Sequence, residues 1–421
     1  MPLYKKIFIG LFFGSVAGML CNIFYPDSPT VLWLVQNIAG PTGQIFLRII
    51  FMAVIPLVIA ALANGVAEIG DVSKIGRIGI KTLLFTLLLS SIAVLIGIGL
   101  VNYFQPGIGL SNDTRTKMIE MLQSQGAKLN TERAIQIKPF TQILLELIPK
   151  NPVADMLNAF DGGLLALMVF SLFIGLAMSA VGEEKAEPLK KFFESLFNVM
   201  LKIIEFAMKL APFGVAGLMF SVTASIGFNI ITMLGKYVLV VLTALAIHQF
   251  LIYGMTIKLF TKRTPIEFYR AIREVMITAF STSSSNATLP LAMHTATEQL
   301  KLPRKVSNFI LTIGATANQN GTALYEGITV LFLAQFFGVS LSFTQQLTVV
   351  LMSVAAGVGT AGVPGGSLPL IVVVLQSIGV PGEGIGIILG VDRILDMSRT
   401  VLNVTGDLTI ATCVAETETN I

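Results

Sequence analysis

In the C-terminal stretch GVDRILDMSRTVLNVTGDLTIATCV, Asp392, Asp396, Arg399, Asn403 and Asp407 follow one another at intervals of four, three, four and four residues. At about 100° per residue, these side chains project within roughly 80° of one another on a helix and make one polar stripe. Each charge would cost about 2.5–3.5 kcal/mol at the centre of a membrane-spanning helix, so the stripe must face protein or a watery cavity. A guanidinium fork suits a carboxylate, and a neighbouring aspartate suits an ammonium. The plainer alternative is a structural ion-pair seam, because Asp396 and Arg399 are three apart and can neutralise each other. Thr400 lies on the edge of the stripe, and Arg393 lies further round, towards neighbouring protein or an interface.

Three irregular stretches accompany the stripe. The first, FSTSSSNATLP at 280–290, interrupts apolar sequence with serine, threonine and asparagine, and GVGTAGVPGG at 357–366 breaks another apolar run. The flanking arms are too short for two spans each, so each break reads as a hairpin that dips into the membrane and turns back. Non-helical backbone at that depth is tolerated only inside protein or beside a watery cavity. Paired interrupted segments point to a transporter's midplane site. The third, GATANQNGTALYEG at 314–327, breaks an apolar helix with Asn318, Gln319, Asn320, Gly321 and Thr322. Unwound carbonyls, amide oxygens and a hydroxyl are good cation ligands, although polar residues at a packing seam would look similar.

The elements that must position these groups are membrane helices. Of 421 residues, 54% are hydrophobic and 12% charged, and mean hydropathy is +0.81, which excludes disorder and an ordinary soluble enzyme. We read spans near 5–25, 41–68, 76–104, 160–182, 191–222, 231–261, 305–335 and 382–412. The expected fold is therefore an all-α polytopic membrane protein with about eight transmembrane helices plus two re-entrant helical hairpins. The first hairpin is expected near 266–300, the broken helix at 305–335, the second hairpin near 344–380 and the last helix at 382–416.

Basic residues fall in alternate loops: Lys5 and Lys6; Lys74, Arg77 and Lys81; Lys185, Lys190 and Lys191; Lys258, Lys262 and Arg263; Lys301, Arg304 and Lys305. The positive-inside rule makes these loops and the N-terminus cytoplasmic, and turns the polar stretch 106–138 outward as a flexible loop. The start, MPLYKKIFIGLFFGSVAGML, has the charged and apolar regions of a signal peptide. It is expected to be retained, because small residues do not line up as a cleavage site. A net charge of +4 spread over loops gives no case for nucleic acid, and Cys21 and Cys413 read as small buried hydrophobes. His248 and His294 read as packing or interface residues.

The order of Ser-rich hairpin, NQNGTALYEG, GTAGVPGG and VDRILDMSRTVLNVTGD resembles, over nearly the whole chain, the glutamate transporter family of dicarboxylate/amino acid:cation symporters. The resemblance implies a homotrimer in the cell (inner or plasma) membrane. It implies a trimerisation scaffold, assigned mainly to 1–75 and 139–261, then a third helix and outward loop at 76–138. A transport domain at 262–421 would move like an elevator. The implied substrate is an acidic amino acid, L-aspartate or L-glutamate. Arg399 would bind its side-chain carboxylate and Asp396 its α-amino group, with Thr400, Asn403, Thr322, Ser284, Ser285 and backbone near Val363 completing the pocket. A neutral substrate would leave Arg399 unpaired. Small residues at 360–362 would hinge the second hairpin as a gate.

No bound cofactor is expected beyond a coupling ion, H+ and/or Na+. Sodium-coupled members carry Asn-Met-Asp where this chain has Asn318, Gln319 and Asn320, and the family's Tyr and Thr ligands align with Thr86 and Leu89, leaving Ser90. One cation site is therefore expected to be lost. Asp407, Asn403, Gly314 and Asn318 match another sodium site, and Thr316, Gln319 and Thr360 an altered third. Glu326 matches the proton-carrying position of the mammalian glutamate members. As a lone carboxylic acid in a low-dielectric helix it could cycle between protonated and ionised states. Coupling wholly or partly to protons is expected. Ser283 stands where some archaeal relatives have an arginine, and Arg393 could supply that charge from the last helix.

Two other classes fit less well. A channel has no use for the pairing of Asp396 with Arg399, and a serine hydrolase would need a base that no histidine or lysine recognisably provides. Within the transporter class, the alternatives are a C4-dicarboxylate carrier, although dicarboxylate members lack an acid at the Asp396 position, and a neutral amino acid transporter.

Overall fold

The computed structural model describes residues 3–26, 28–70, 77–109, 148–158, 164–360 and 367–417, with the single residues 116 and 145. Every regular element among them is helical. In chain order α1 is Leu3–Phe24. Next, α2 (Pro29–Leu34) runs through a π-helical turn, Val35–Ala39, into α3 (Gly40–Gly70). Then come α4 (Arg77–Phe104), α5 (Pro152–Leu157), α6 (Leu164–Val181) and α7 (Glu183–Ile226). After α8 (Asn229–Ala246), the π-helical segment Ile247–Ile252 leads into α9 (Tyr253–Phe260). The C-terminal part holds α10 (Pro265–Thr282), α11 (Ser285–Glu298), α12 (Arg304–Ala317), α13 (Asn320–Phe337), α14 (Phe343–Gly359), α15 (Leu368–Ser377), a 3-10 turn at Gly382–Ile387, and α16 (Leu389–Thr417).

Five stretches are long and apolar enough to cross a bilayer: Lys5–Phe24, Pro29–Asn64, Arg77–Phe104, Glu184–Ser225 and Asn229–Phe260. Of the other three expected spans, Ala166–Val181 is a shorter apolar helix among the described residues, 305–335 is split in two, and α16 carries the polar stripe. Phe12, Phe13, Leu84, Leu95 and Leu239 are exposed, as lipid-facing side chains should be. The chain is thus a multi-pass membrane protein.

One layer is formed by α1, α3, α6 and α7, packed on one another. Small residues let the backbones approach. A Cβ on Gly10 would lie 2.2 Å from the Pro212 carbonyl oxygen, and one on Gly14 would lie 2.3 Å from that of Ala216. The second group surrounds α16, which packs against α10, α11, α12 and α13, with α4 against α13 and α14. Residues 229–260 pack mainly against α16, α4 and α13, with Tyr237, His248, Gln249 and Tyr253 buried on that side.

The two hairpins begin in the same way. Thr264 and Glu267 form a capping box before α10 with Pro265 in the first turn, and Ser342 and Gln345 form another before α14. The first hairpin turns within two residues, Ser283 in the left-handed region (φ 52°) and Ser284 extended. The second turns between Thr360 and Ser367; 361–366, like nearly all of 106–138, lies outside the described residues. Between α12 and α13, Asn318 (φ −122°, ψ 67°) and Gln319 (φ −99°, ψ 59°) leave helical geometry, and Gln319 N–H donates to the Gly357 carbonyl of α14 at 3.3 Å. At the basic end of the bundle, Arg263 donates to the Leu300 carbonyl (2.6 Å), and Lys81 to Thr417 Oγ1 (3.0 Å), tying the bases of the first hairpin and α16 to α4 and α9.

Candidate functional site

The breaks and the stripe meet. A small, partly open pocket of about 10 Å³, room for little more than one water, is lined by Ser283 and Ser285 of the first hairpin, Thr360 and Ser367 of the second, Gln319 and Thr322 of the broken helix, and Asp396, Arg399, Thr400 and Asn403 of α16. Every lining side chain is polar or charged.

Arg399 is 2% exposed. It donates to Asp396 Oδ1 from Nη2 (2.7 Å) and Nε (3.1 Å), and its Nη1 reaches Asp392 Oδ1 at 3.5 Å. Its guanidinium lies over the Tyr325 ring, 4.4 Å from the centroid, and Tyr325 in turn donates to Asp392 Oδ1 at 2.7 Å. The fork is therefore fixed on three sides, by an aspartate on either flank and an aromatic face. Arg393 folds back to place Nη1 3.4 Å from Asp396 Oδ2. Asp396 thus sits between two arginines.

Lower on α16, Asn403 caps the second half of the broken helix. Its Oδ1 accepts from Gly321 N (2.7 Å) and Thr322 N (3.3 Å), while its Nδ2 donates to Gln319 Oε1 (2.5 Å) and Thr322 Oγ1 (3.2 Å). Gly321 is required there, since a Cβ would lie 2.5 Å from the Arg399 carbonyl oxygen. Thr400 Oγ1 donates back to the Asp396 carbonyl at 2.8 Å. One turn further along, Asp407 accepts from Asn318 Nδ2 at 2.7 Å and crowds Gly314, where a Cβ would stand 2.4 Å from Asp407 Oδ1. Gly314, Asn318, Asn403 and Asp407 are therefore adjacent. Thr360 spends its hydroxyl proton on the Ala356 carbonyl (2.7 Å), and Val363 and the Thr316 side chain lie outside what is described.

Two further groups stand apart from the pocket lining. Asn320 is fully buried, accepts from Ser90 Oγ at 2.5 Å and donates to Tyr253 Oη at 2.9 Å, and Tyr253 passes its own proton to the Leu402 carbonyl at 3.2 Å. This chain of neutral groups fills the neighbourhood of the NQN break. Thr86 and Leu89 are buried on the same helix as Ser90. Glu326 is 0% exposed, and neither carboxyl oxygen has a hydrogen-bond partner. His248 packs edge-on against Tyr253, with centroids 4.7 Å apart, and makes no hydrogen bond.

Of the residues singled out by sequence, Arg399, Asp396, Thr400, Asn403, Thr322 and Ser285 come together on the pocket. Ser284 turns to its own helix, where its Oγ accepts from Ala287 N at 3.2 Å. Ser283 and Ser367 line the pocket without having been read as ligands, and Tyr325 and Asp392 hold Arg399 without having been assigned to it.

The chain matches the sodium:dicarboxylate symporter family over residues 3–417. It belongs to that family. Among relatives of this symporter, the proton/sodium-glutamate symport protein of Bacillus subtilis (strain 168) is 35% identical over 418 residues, covering 99% of this chain and 92% of the relative. The proton/glutamate-aspartate symporter of Escherichia coli (strain K12) is 35% identical over 412 residues, covering 97% and 92%. The excitatory amino acid transporter 3 of Homo sapiens is 30% identical, covering 93% and 82%. The family is one of transporters and not of enzymes.

Proposed function

We propose that this symporter carries acidic amino acids, L-aspartate or L-glutamate, together with a cation. The observation that carries the reading is the buried Arg399 fork beside Asp396, on a pocket walled by both hairpins, the broken helix and α16. A substrate carboxylate takes the fork while Asp396 releases it and turns to the α-ammonium, so one internal ion pair is exchanged for two to the ligand. Thr400, Asn403, Thr322, Ser284, Ser285 and the backbone near Val363 complete the set. A neutral substrate leaves the fork unrewarded. The names of the B. subtilis and E. coli relatives support the acidic class.

The coupling ion follows from the neutral chain at Asn320. Ser90 and Tyr253 engage its amide from both ends, so that position brings no negative charge to hold sodium. Glu326, fully buried on α13 one turn beyond Thr322 and without a hydrogen-bond partner, supports proton carriage. Where sodium is used, Asp407 with Asn403, Gly314 and Asn318 is the favoured place, and Thr316, Gln319 and Thr360 the weaker one.

The protein works in the plasma or inner membrane as a homotrimer with a cytoplasmic N-terminus, eight spans and two re-entrant hairpins. The layer of α1, α3, α6 and α7 is the scaffold, and α4 with everything from α8 onward is the elevator-like transport domain. Placing α8 and α9 in the moving part departs from the sequence-based grouping and rests on their packing against α16. Gly386 and Gly390 meet the scaffold's Leu218 and Leu11. Small residues against flexible leucines suit a surface that slides.

The test is uptake of labelled L-aspartate and L-glutamate into proteoliposomes with sodium and proton gradients imposed separately. Uptake driven by inward protons without sodium is expected. Uptake driven only by sodium overturns the coupling assignment, and no saturable uptake of either acid overturns the substrate.

A further inference from the structure

Hydroxyls inside helices usually spend their proton on a carbonyl four residues back, as Thr348 and Thr360 at the two ends of α14 do at 3.0 and 2.7 Å. Ser353, between them, does not: it is 0% exposed and its Oγ has no hydrogen-bond partner. On the facing helix α13, Glu326 is also 0% exposed, with both carboxyl oxygens unpartnered. A buried polar group without a partner is costly, and two of them on packed helices call for one explanation.

The packing sets the two at one level. α13 and α14 run antiparallel: Gln319 N–H donates to the Gly357 carbonyl, a Cβ on Gly357 would lie 3.1 Å from Ala323 Cβ, and a Cβ on Gly327 would lie 4.0 Å from Ser353 Oγ. Ala323 and Gly327 thus mark the face of α13 that α14 covers. Glu326 stands three residues from Ala323, about 60° round the helix, on the edge of that face, and about 1.5 Å of rise from Gly327. The other atoms nearest to a Cβ on Gly327 belong to Val94 and Ile98 of α4, so the Ser353 hydroxyl lies against an apolar wall.

The charges around α13 are spent elsewhere. α14 and α15 carry no titratable side chain, and those of α4, Arg77, Lys81 and Tyr103, sit towards its ends. On α8, Lys236 is exposed and Tyr237 is engaged with Thr329 at 2.7 Å. Tyr325 of α13 donates to Asp392. On α16, Asp392, Arg393, Asp396 and Arg399 are joined in ion pairs, and Asp407 accepts from Asn318. A hydroxyl at the level of Glu326 is what remains to meet its carboxyl group.

We propose that Ser353 is the positioning residue of the proton site: its hydroxyl donates to Glu326 when the carboxyl group is ionised and turns to accept from it when the carboxylic acid forms. A hydroxyl can do both, whereas an ammonium can only donate. The inference rests on the proton-carrying reading of Glu326 above and adds the residue that sets how readily the proton leaves. A hydrogen bond to the ionised form favours that form, so Ser353 eases proton release in an otherwise apolar setting.

The experiment is calorimetric titration of L-aspartate into the purified protein across a pH series, for wild type, Ser353→Ala, Glu326→Gln and the double variant. A carrier that must be protonated to load loses affinity as pH rises, and the pH at which half is lost is the readout. Removing the donor leaves the carboxylate bare, so Ser353→Ala is expected to hold its affinity to a pH about one unit higher, a tenfold change in proton affinity. Alanine is a good helix former and the lost hydroxyl has no partner, so the variant should fold. In Glu326→Gln the affinity should be flat with pH, and adding Ser353→Ala should change nothing. A half-loss pH in Ser353→Ala equal to that of wild type overturns the proposal and leaves proton carriage by Glu326 standing. An effect of Ser353→Ala that persists in the Glu326→Gln background also overturns it, since the hydroxyl then acts elsewhere. A wild type whose affinity does not change with pH removes the reading on which the proposal stands.

Discussion

Asn320→Asp is the sharpest test of the coupling argument. The Asn320 side chain is fully buried, with Oδ1 accepting from Ser90 at 2.5 Å and Nδ2 donating to Tyr253 at 2.9 Å. An aspartate keeps the Ser90 bond but has no proton for Tyr253, whose own proton is committed to the Leu402 carbonyl. The lost hydrogen bond is worth about 1 kcal/mol. Leaving a buried charge uncompensated raises the total to about 3–5 kcal/mol. A bound cation compensates that charge, and at a hundredfold excess over its dissociation constant it returns about 2.7 kcal/mol, more than half of the loss. The assay is thermal unfolding of wild type and variant in detergent, in choline chloride and in sodium chloride at equal ionic strength. The variant is expected to melt well below wild type in choline and to recover most of the gap in sodium, with the wild type nearly indifferent. If the wild type gains as much from sodium as the variant does, the neutral chain is not standing where a cation would, and the reasoning is refuted. A variant unaffected in choline refutes it equally.

The other predictions concern the pocket, the proton and the packing. Arg399→Ala should abolish L-aspartate uptake, and retained uptake would defeat the pocket assignment. Asp396→Ala should abolish L-aspartate binding, measured by titration; if it does so while sparing succinate, the C4-dicarboxylate alternative is the one supported. Glu326→Gln keeps the shape but removes the exchangeable proton. Uptake driven by a pH gradient should fall at least tenfold, on the order of general acid–base losses, while aspartate exchange at equal pH persists; equal loss of both counts against proton carriage. Gly14→Ala drives a methyl to within 2.3 Å of the Ala216 carbonyl oxygen, so α1 and α7 must part, and thermal unfolding should show a loss of about 1–3 kcal/mol.

Which parts of this architecture were readable depends on how local their causes are. The breaks at 280–290, 314–327 and 357–366 announce themselves because serine, amides and glycine interrupt apolar runs, and the chain departs from regular helix at 283–284, 318–319 and near 360. The stripe on α16 is a matter of spacing alone, and its five residues are all buried. Contacts between distant residues were not readable. Ser90 with Asn320 and Tyr253 with Leu402 join residues far apart in sequence, and periodicity reports which face is covered without saying by what. The same limit hid the packing of 229–260. The charged run EEKAEPLKK looked like a loop, yet it opens α7, whose 44 residues span about 66 Å at 1.5 Å each and so exceed a bilayer core. That the Ser284 hydroxyl caps α11 while Ser283 and Ser285 line the pocket is likewise a matter of the turn's geometry, which the serine cluster does not disclose.

The electrostatics of the site give a reason why an acidic substrate must bring a cation. On α16 the formal charges near the pocket cancel, Asp392 and Asp396 against Arg393 and Arg399, and each of the four lies within 3.5 Å of an opposite partner. An acidic amino acid, with two carboxylates and one ammonium, adds one net negative charge to this balanced, buried cluster. Crossing a low-dielectric layer with that surplus is costly, and no arginine or lysine lining the pocket is free to absorb it, since Arg399 alone lines it and is already paired. The compensation must therefore come from outside the chain. Two buried carboxyl groups, Asp407 and Glu326, form no ion pair with either arginine, the first accepting from a single amide and the second having no hydrogen-bond partner. Those are the places where an added proton or sodium ion can neutralise the loaded carrier without disturbing the four-residue cluster. In the proposed cycle, Asp396 reoccupies the fork when the substrate carboxylate leaves, so the four-residue cluster stays balanced in the empty carrier.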